Sequence, residues 1–504
     1  MPRCPSKLLA LLLPFALACV GAAATAKPAA DAPSPAAKES VDAIRADFDA
    51  LYAGLKAAHY DLYARRPKAQ YDALFERMRR ELDAPLALDD VERRFQRFVA
   101  FGNVAHARID SVARGWEVFR TAGGKAFPLT LRVVDKRVYV GDPSWAAGVA
   151  PGDEVVSIEG KPALRWLDSM RSHLSADNDY LAYAQLEKRL PMYVWLERGT
   201  VDAFDIGLRG ADGKRVEKRM AAQDRAGFSA AEAGQTRHFA LDWNERVARV
   251  LDGGVAYLRP GPFYDNRPEA VDPWDNKAFI AFIDEAFASF IDAGATDLVI
   301  DVRDNPGGDN SFSDAMIAWF ATKPFRFTDA FDIKVSEATT ASNAKRLDGA
   351  ADSISTKFAA AYAKAKAGEH VRFEIPFTAP REGTRFAGRV HLLVNRHSYS
   401  NTVNVAAIVQ DYGFGDVLGE ETADLASTLG AMETFTLPRT GIVVGYPKAR
   451  ILRPNGDAKP RGVVPDVAIA TPIAPSAKDV VLERALDAVR RAGLTSPSAT
   501  HDGK

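Results

Sequence analysis

Two stretches of this chain run from an unbroken apolar strand into a sharp turn, and together they constrain its fold more than any other feature. In the first, Asp297-Leu-Val-Ile-Asp-Val-Arg303 has the continuous apolar core of a strand buried on both faces and ends in Asp304-Asn-Pro-Gly-Gly308. In the second, Val390-His-Leu-Leu-Val394 passes through Asn395-Arg-His-Ser-Tyr-Ser400 into a segment whose apolar positions Val403, Ala406, Ala407 and Val409 recur at helical spacing. Buried strands feeding helices place the chain in the α/β (α+β) class. A hydroxyl at such a junction can point at a substrate while the free N–H groups of the helix start face the same point and stabilise an oxyanion. The alternative is that Ser398 and Ser400 only cap the helix, since Ser is a preferred N-cap residue.

At 504 residues the chain has room for two to four domains, and 47% hydrophobic with 26% charged residues is an ordinary globular balance. A formal net charge of -1 gives no general attraction to nucleic acid or to acidic membranes. Arg77, Arg79 and Arg80 stand between Glu76 and Glu81, a mixed-charge patch of a solvated helix face rather than a basic run interleaved with aromatics.

Arg3 and Lys7 precede an apolar run from Leu8 to Val20, and Ala24-Thr25-Ala26 fits a small-residue cleavage site. Residues 1–26 therefore read as a secretory signal peptide, with a mature protein starting at Lys27 and exported to a periplasmic or extracellular location. The run is short for a membrane span, and no later segment is long and apolar enough to be one. Cys19 follows Ala16-Leu17-Ala18, which leaves a lipid anchor at Cys19 open beside the soluble exported form. Both cysteines, Cys4 and Cys19, lie in this segment, so the mature chain has no disulfide, cysteine nucleophile or cysteine metal site. His173, His238, His370 and His391 are scattered without the spacing of a metal site, and no metal or cofactor is expected.

Lys27 to Lys38 is rich in Ala and Pro and has no apolar period, as in a flexible lead-in. Helix faces follow at Val41, Ile44, Phe48, Leu51, Tyr52 and Leu55, at Tyr71, Leu74, Phe75 and Met78, and at Val91, Phe95, Phe98 and Val99. These define a small helical domain over 39–110. From residue 111 to about 225 short strands take over, at Phe127 to Val134 and Arg137 to Val140, ahead of Ala146-Ala-Gly-Val-Ala-Pro-Gly-Asp-Glu-Val-Val-Ser-Ile-Glu-Gly160. That string resembles the carboxylate-side signature of PDZ domains, which take extended peptides by strand addition; the alternative is a β-rich spacer that binds nothing. A third domain, 240–495, opens with strands near Val247 and Val255, then a helix with Phe279, Ile283, Phe287 and Phe290 on its apolar side. Residues 325–388 are polar and Ala-rich without a clear core pattern, which suggests a helical insertion or lid. The chain closes with a β-like run at Gly441 to Tyr446, a Gly462-Val-Val-Pro-Asp466 turn and a last helix over Lys478 to Arg491.

The order of these motifs, helices, a PDZ-like segment, Asn305-Pro306-Gly307-Gly308, Ser398-x-Ser400, Gly419-Glu420-x-Thr422 and Gly462-Val-x-Pro-Asp466, resembles the tail-specific (C-terminal processing) and tricorn-like serine peptidases. The resemblance covers nearly the whole mature chain and implies a crotonase-like core of stacked ββα units acting on peptides or unfolded proteins. It implies that Ser400 is the nucleophile and that Gly307 or Gly308, together with Asn401, supplies oxyanion-hole N–H groups; Gly allows the close backbone approach and positive φ that such a site needs.

A serine hydroxyl needs a base. One branch of the family carries a Lys at a position near Leu425, but no Lys or His occurs between Asp411 and Lys448. The tricorn-like branch uses a His in a segment similar to Asn103-Val-Ala-His106-Ala-Arg-Ile, which makes His106 the favoured general base. Its surroundings depart from the family pattern, with Val104 and Ala105 where an acid and a hydroxyl often stand. His397 is the rival base, though on a strand it faces away from Ser400. The acid that orients His106 stays open: Lys459-Pro460-Arg461 stands where the family often has Glu, Asp457 is the nearest acid upstream, and Asp411 is equally suited to a helix-end role. Two functions remain in view, an exported serine endopeptidase needing no metal, and a member of the same fold that binds peptides without turning them over.

Overall fold

The computed structural model describes residues 38–141, 148–233, 239–347 and 353–495. The expected signal peptide, the lead-in up to residue 37, Ala146, Ala147 and His238 lie outside the described residues.

The two sequence-predicted strands sit at the centre of a six-stranded sheet. Its order is Val467–Ala468, Asp416–Gly419, Arg389–Val394, Asp297–Asp301, Val255–Arg259, Val247–Val250. All neighbours are parallel except the last pair. Successive side chains of a strand point to opposite faces, so a strand apolar throughout must be covered twice. Leu298, Ile300, Leu392 and Val394 enter one core with the helices Lys277–Asp292, Asn310–Ile317 and Asn401–Tyr412. Val299, Leu393 and Leu418 enter another with Val481 and Ala485 of the Val480–Thr495 helix. The turns after Asp301 and Val394 leave the carboxyl ends of adjacent parallel strands, where open α/β sheets form binding crevices.

Residues 325–388 contain helices, Glu337–Ala344 and Ile354–Tyr362, as the sequence suggests, but they are not coreless. Ala330–Lys334 pairs antiparallel with Val443–Leu452 in a second sheet, ordered His370–Arg372, Ala330–Lys334, Val443–Leu452, Thr428–Thr436. Phe325, Phe331, Ile333, Tyr362, Phe373 and Phe386 are buried in the main core. Phe331 and Ile333 lie in a strand of five residues and Tyr362 ends a helix of nine, while Phe325, Phe373 and Phe386 stand singly outside the strands, so no run is long enough for a period to register.

The N-terminal helices Val41–Ala58, Lys68–Glu81 and Leu88–Ala100 turn their apolar faces inward around a Phe48, Tyr52, Tyr71, Phe95 and Phe98 cluster. Ser40 caps the first helix, its side chain accepting the Ala43 N–H at 3.2 Å. Leu429, Leu437, Ile442, Val444 and Tyr446 of the Thr428–Leu452 hairpin complete this core. That hairpin lies between two cores, because Ala449 and Ile451 pack into the main one.

The segment between these parts forms an antiparallel sheet, Leu131–Val134, Arg137–Val140, Glu154–Ile158, Ala203–Arg209, Arg215–Ala221, over a core of Phe127, Trp166 and Phe204. Its helix Asp179–Arg198 breaks at Arg189 (φ -138°, ψ 24°), two residues before Pro191, whose ring and missing N–H interrupt the helical ladder. Buried Arg396 ties this segment to the main sheet, donating to the Val133 carbonyl at 2.9 Å, to Glu187 at 3.0 Å and to Glu420 at 3.2 Å. No helix among the described residues is long and apolar enough to cross a membrane.

Candidate active site

The turn after Val394 is bonded onto the turn after Asp301. Ser398 Oγ donates to the Val302 carbonyl at 2.9 Å and accepts the Asn395 N–H at 3.1 Å. Tyr399 N–H donates to the Asn305 carbonyl at 3.0 Å, and Asp304 N–H to Asn395 Oδ1 at 3.0 Å. The Ser398 hydroxyl is thus fully used inside the scaffold. Ser400, two residues on, has φ 54° and ψ -124°, a region that costs a non-glycine residue about 1–3 kcal/mol. It occupies the N-cap position of the Asn401–Tyr412 helix, yet its side chain makes no capping bond. The Oγ instead lies 3.4 Å from His106 Nε2, across 294 residues of sequence.

His106 is held in a turn rather than on an element. Arg108 exchanges backbone hydrogen bonds with Gly445 at 3.1 and 2.8 Å, fastening the turn to the Val443–Leu452 strand. Just before the ring, Ala105 N–H donates to Asp177 Oδ2 at 3.0 Å, while Arg65 grips Asp177 Oδ1 at 2.8 Å. The ring is stacked on Tyr399, with centroids 5.5 Å apart and planes at 21°. Burial, and secondarily the Arg108 charge, lower the His106 pKa to about 3, so the ring is neutral across the physiological range. Nδ1 makes no hydrogen bond, although the Leu429 carbonyl faces the ring closely enough to favour its protonated form. Among the described residues no carboxylate bonds to the ring.

Carboxylates act on the backbone instead. Asp424, 1% exposed, accepts the Ser400 N–H on Oδ2 at 2.7 Å and the Leu425 N–H on Oδ1 at 3.0 Å. Burial and the neighbouring Asp177 push its carboxyl up to about 7, against the pull of those two N–H groups and of Arg108. Asp177 is also raised, by burial, against Arg65 and the Ala105 N–H. One acid therefore holds the backbone of Ser400 and the other that of the residue before His106. Nothing in sequence marks them out among 66 acidic residues, since neither stands in a motif or on a periodic face.

Gly307 and Gly308 are both at positive φ, 89° and 137°. A Cβ on Gly307 would stand 2.6 Å from the Tyr399 carbonyl, 2.8 Å from Asn401 N and 2.9 Å from Ser400 Cβ; one on Gly308 would stand 2.1 Å from the Phe263 carbonyl. The Gly307 N–H is not an open donor, because it is given to Asn305 Oδ1 at 2.9 Å, which corrects its expected place in an oxyanion hole. Gly308 N–H and Asn401 N–H have no acceptor among the described residues. Gly307 contributes room, and the open donors beside Ser400 are Gly308 and Asn401.

The other sequence candidates lie elsewhere. His397 Nε2 is 3.3 Å from Glu187 Oε2, so it faces the middle segment. Asp411 pairs with Arg453 at 2.6 Å and caps Asn455, a helix-end role. Asp457 accepts the Lys459 N–H at 3.0 Å in an exposed turn. Among the described residues no group of three or more His, Cys, Asp or Glu could hold a metal ion.

Residues 275–469 match a family model described as peptidase family S41. The structure of mature CPAF is similar in fold, with a TM-score of 0.63 at 14% identity, covering 90% of this chain and 97% of that one. The structure of mature CPAF complexed with lactacystin is likewise similar, with a TM-score of 0.59 at 14% identity over 90% of this chain and 98% of that one. At such identities the likeness is one of fold, and it extends through the helical and middle segments as well as the matched core. No curated protein matches this chain in sequence.

Proposed function

This chain is a serine-type peptidase whose residues 275–469 belong to family S41, and from that premise we propose that it is an exported endopeptidase in which Ser400 is the nucleophile and His106 the general base. The observation that carries the reading is the 3.4 Å approach of Ser400 Oγ to His106 Nε2. That separation is long for a hydrogen bond, as catalytic contacts often are before substrate binds. With Nδ1 protonated, Nε2 of the neutral ring takes the hydroxyl proton as Oγ attacks the scissile carbonyl carbon. The oxyanion is held by the Gly308 and Asn401 N–H groups. The C–N bond then breaks, His106 gives its proton to the leaving amine, and the peptide is left as an ester on Ser400. Water, deprotonated by the same Nε2, hydrolyses that ester and regenerates the hydroxyl. The middle segment presents an extended or C-terminal peptide by strand addition in the manner of a PDZ domain.

Among the described residues no acid touches Nδ1, and the Leu429 carbonyl is the group that favours the imidazolium formed in each step. Substituting the orienting acid in a Ser-His-Asp enzyme lowers turnover about 10⁴-fold, which sets the scale for a slow enzyme here. The same observation favours a second reading, a peptide-binding member of the fold without turnover. The protein from Lys27 onward is to be incubated with an unstructured polypeptide and with a serine-directed phosphonate. Cleavage and labelling at Ser400, both lost in Ser400→Ala and strongly reduced in His106→Ala, are expected. Peptide binding that is unchanged in Ser400→Ala, with neither cleavage nor labelling in the parent protein, supports the binder instead.

A further inference from the structure

Between the N-terminal helices and the middle segment lies a cavity of about 1050 Å³ that the Ser400 chemistry does not use. Seven arginines and two glutamates line it. Arg77, Arg93 and Arg171 are matched by carboxylates, Arg77 by Glu81, Arg93 by Asp90 and Arg171 by Asp168 and Asp179. Among the described residues Arg66, Arg94, Arg97 and Arg198 form no ion pair. The Nε atoms of Arg66 and Arg198 are buried without an acceptor. His173, 2% exposed, spends Nε2 on Glu197 at 3.1 Å and leaves Nδ1 unpartnered. Glu197 Oε2 is thereby engaged, and with seven guanidinium groups against two carboxylates the cavity holds an excess of cationic donors.

Guanidinium forks match carboxylates in geometry as well as charge. The same wall carries Leu74, Met78 and Phe101, so a ligand that fills it needs apolar groups between its anionic ones. The wall is also continuous with the turn that carries His106. Gln96 lies between Phe95 and Arg97 of the lining; its Nε2 donates to the His173 carbonyl at 3.0 Å and its Oε1 accepts the Ile109 N–H at 2.7 Å. Asn103, at φ 50°, lines the cavity three residues before His106. We propose that this cavity binds a short acidic peptide with interspersed apolar side chains, and that its occupancy is felt at His106 through Gln96 and Asn103. The link to turnover rests on the catalytic reading of His106; the binding site does not.

The test uses the full Ser400→Ala chain, so that binding is read without cleavage. A fluorescently labelled, end-blocked pentapeptide alternating Glu with Leu and Phe is compared with its Gln counterpart by anisotropy. The Glu peptide is expected to bind about tenfold tighter or more, and the double variant Arg94→Ala, Arg97→Ala to lose at least that factor. Thermal unfolding of the double variant, and of Arg97→Ala alone, checks that the fold is kept. Equal affinity for the Glu and Gln peptides, or undiminished binding by a folded double variant, overturns the proposal. Tripolyphosphate binding as tightly as the Glu peptide makes this a general anion site and also overturns it. The link to His106 is read from the ring resonances of that residue, identified by their absence in His106→Asn; a shift on saturation with peptide supports it, and an unmoved ring removes it. Loss of peptidase activity alone bears on the catalytic reading and leaves these binding results intact.

Discussion

Asp424 accepts the Ser400 N–H at 2.7 Å in a site closed to solvent, so its charge bears on how firmly the strained Ser400 backbone is held. Its carboxyl, ordinarily at 3.8, is pushed up to about 7 by burial and by Asp177, with Arg108 and the two bound N–H groups opposing. Between 3.8 and about 7 the folded chain keeps a proton that the unfolded chain releases. The stabilising contribution of this protonated group is therefore full below pH 3.8 and is lost as pH rises through about 7. Asp424→Asn retains an oxygen acceptor but cannot titrate. Its melting temperature is expected to depend less on pH across that window than that of the parent protein; parallel melting curves at a series of pH values contradict the assignment. Ser400 and Gly307-Gly308 were legible as residues because they stand in motifs whose spacing is local. Asp424 and Asp177 were not, because a buried acid that serves a backbone N–H leaves no pattern in the residues around it.

The Gly307-Gly308 turn and the Ser400 turn are two halves of one element, closed by the Tyr399 to Asn305 hydrogen bond at 3.0 Å. Gly307 sits so near Ser400 that a methyl group meets two backbone atoms under 3 Å away, at a φ of 89°. Backbone cannot yield as a flexible side chain can. Gly307→Ala is expected to cost about 1–3 kcal/mol of stability and to slow phosphonate labelling of Ser400 by about 100-fold or more. Urea unfolding and the labelling rate measure the two effects; a folded variant that labels at the parent rate removes Gly307 from the site. At this scale the long central strands and the closing helix were legible because their apolar patterns run for many residues. The Ala330–Lys334 strand was not, since its burial comes from pairing with Val443–Leu452, a segment more than a hundred residues further along.

Across the whole molecule, Arg396 links the Ser400 turn to the middle segment through Val133 and Glu187 and also pairs with Glu420, which follows the Asp416–Gly419 strand of the main sheet, all in sites largely closed to water. Glu187 keeps His397 and Glu420 keeps Arg132 when Arg396 is removed, so Arg396→Ala is expected to lose about 1.5–3 kcal/mol in denaturant unfolding, the worth of hydrogen bonds to charged groups. A loss under about 1 kcal/mol would mean that water reaches Glu187 and Glu420 freely. The sequence by itself determined the class of fold, the central strands and the strand–turn–helix setting of Ser400, because those strands, turns and helix faces are written in residues a few positions apart. Tertiary structure decided the rest. It brought the His106 ring to 3.4 Å from a hydroxyl 294 residues away, spent the Gly307 N–H on Asn305, and set buried acids on the backbones of Ser400 and Ala105. Those relations arise where separate cores meet, and distance and desolvation across such a meeting are properties of the packed chain that no local run of residues encodes.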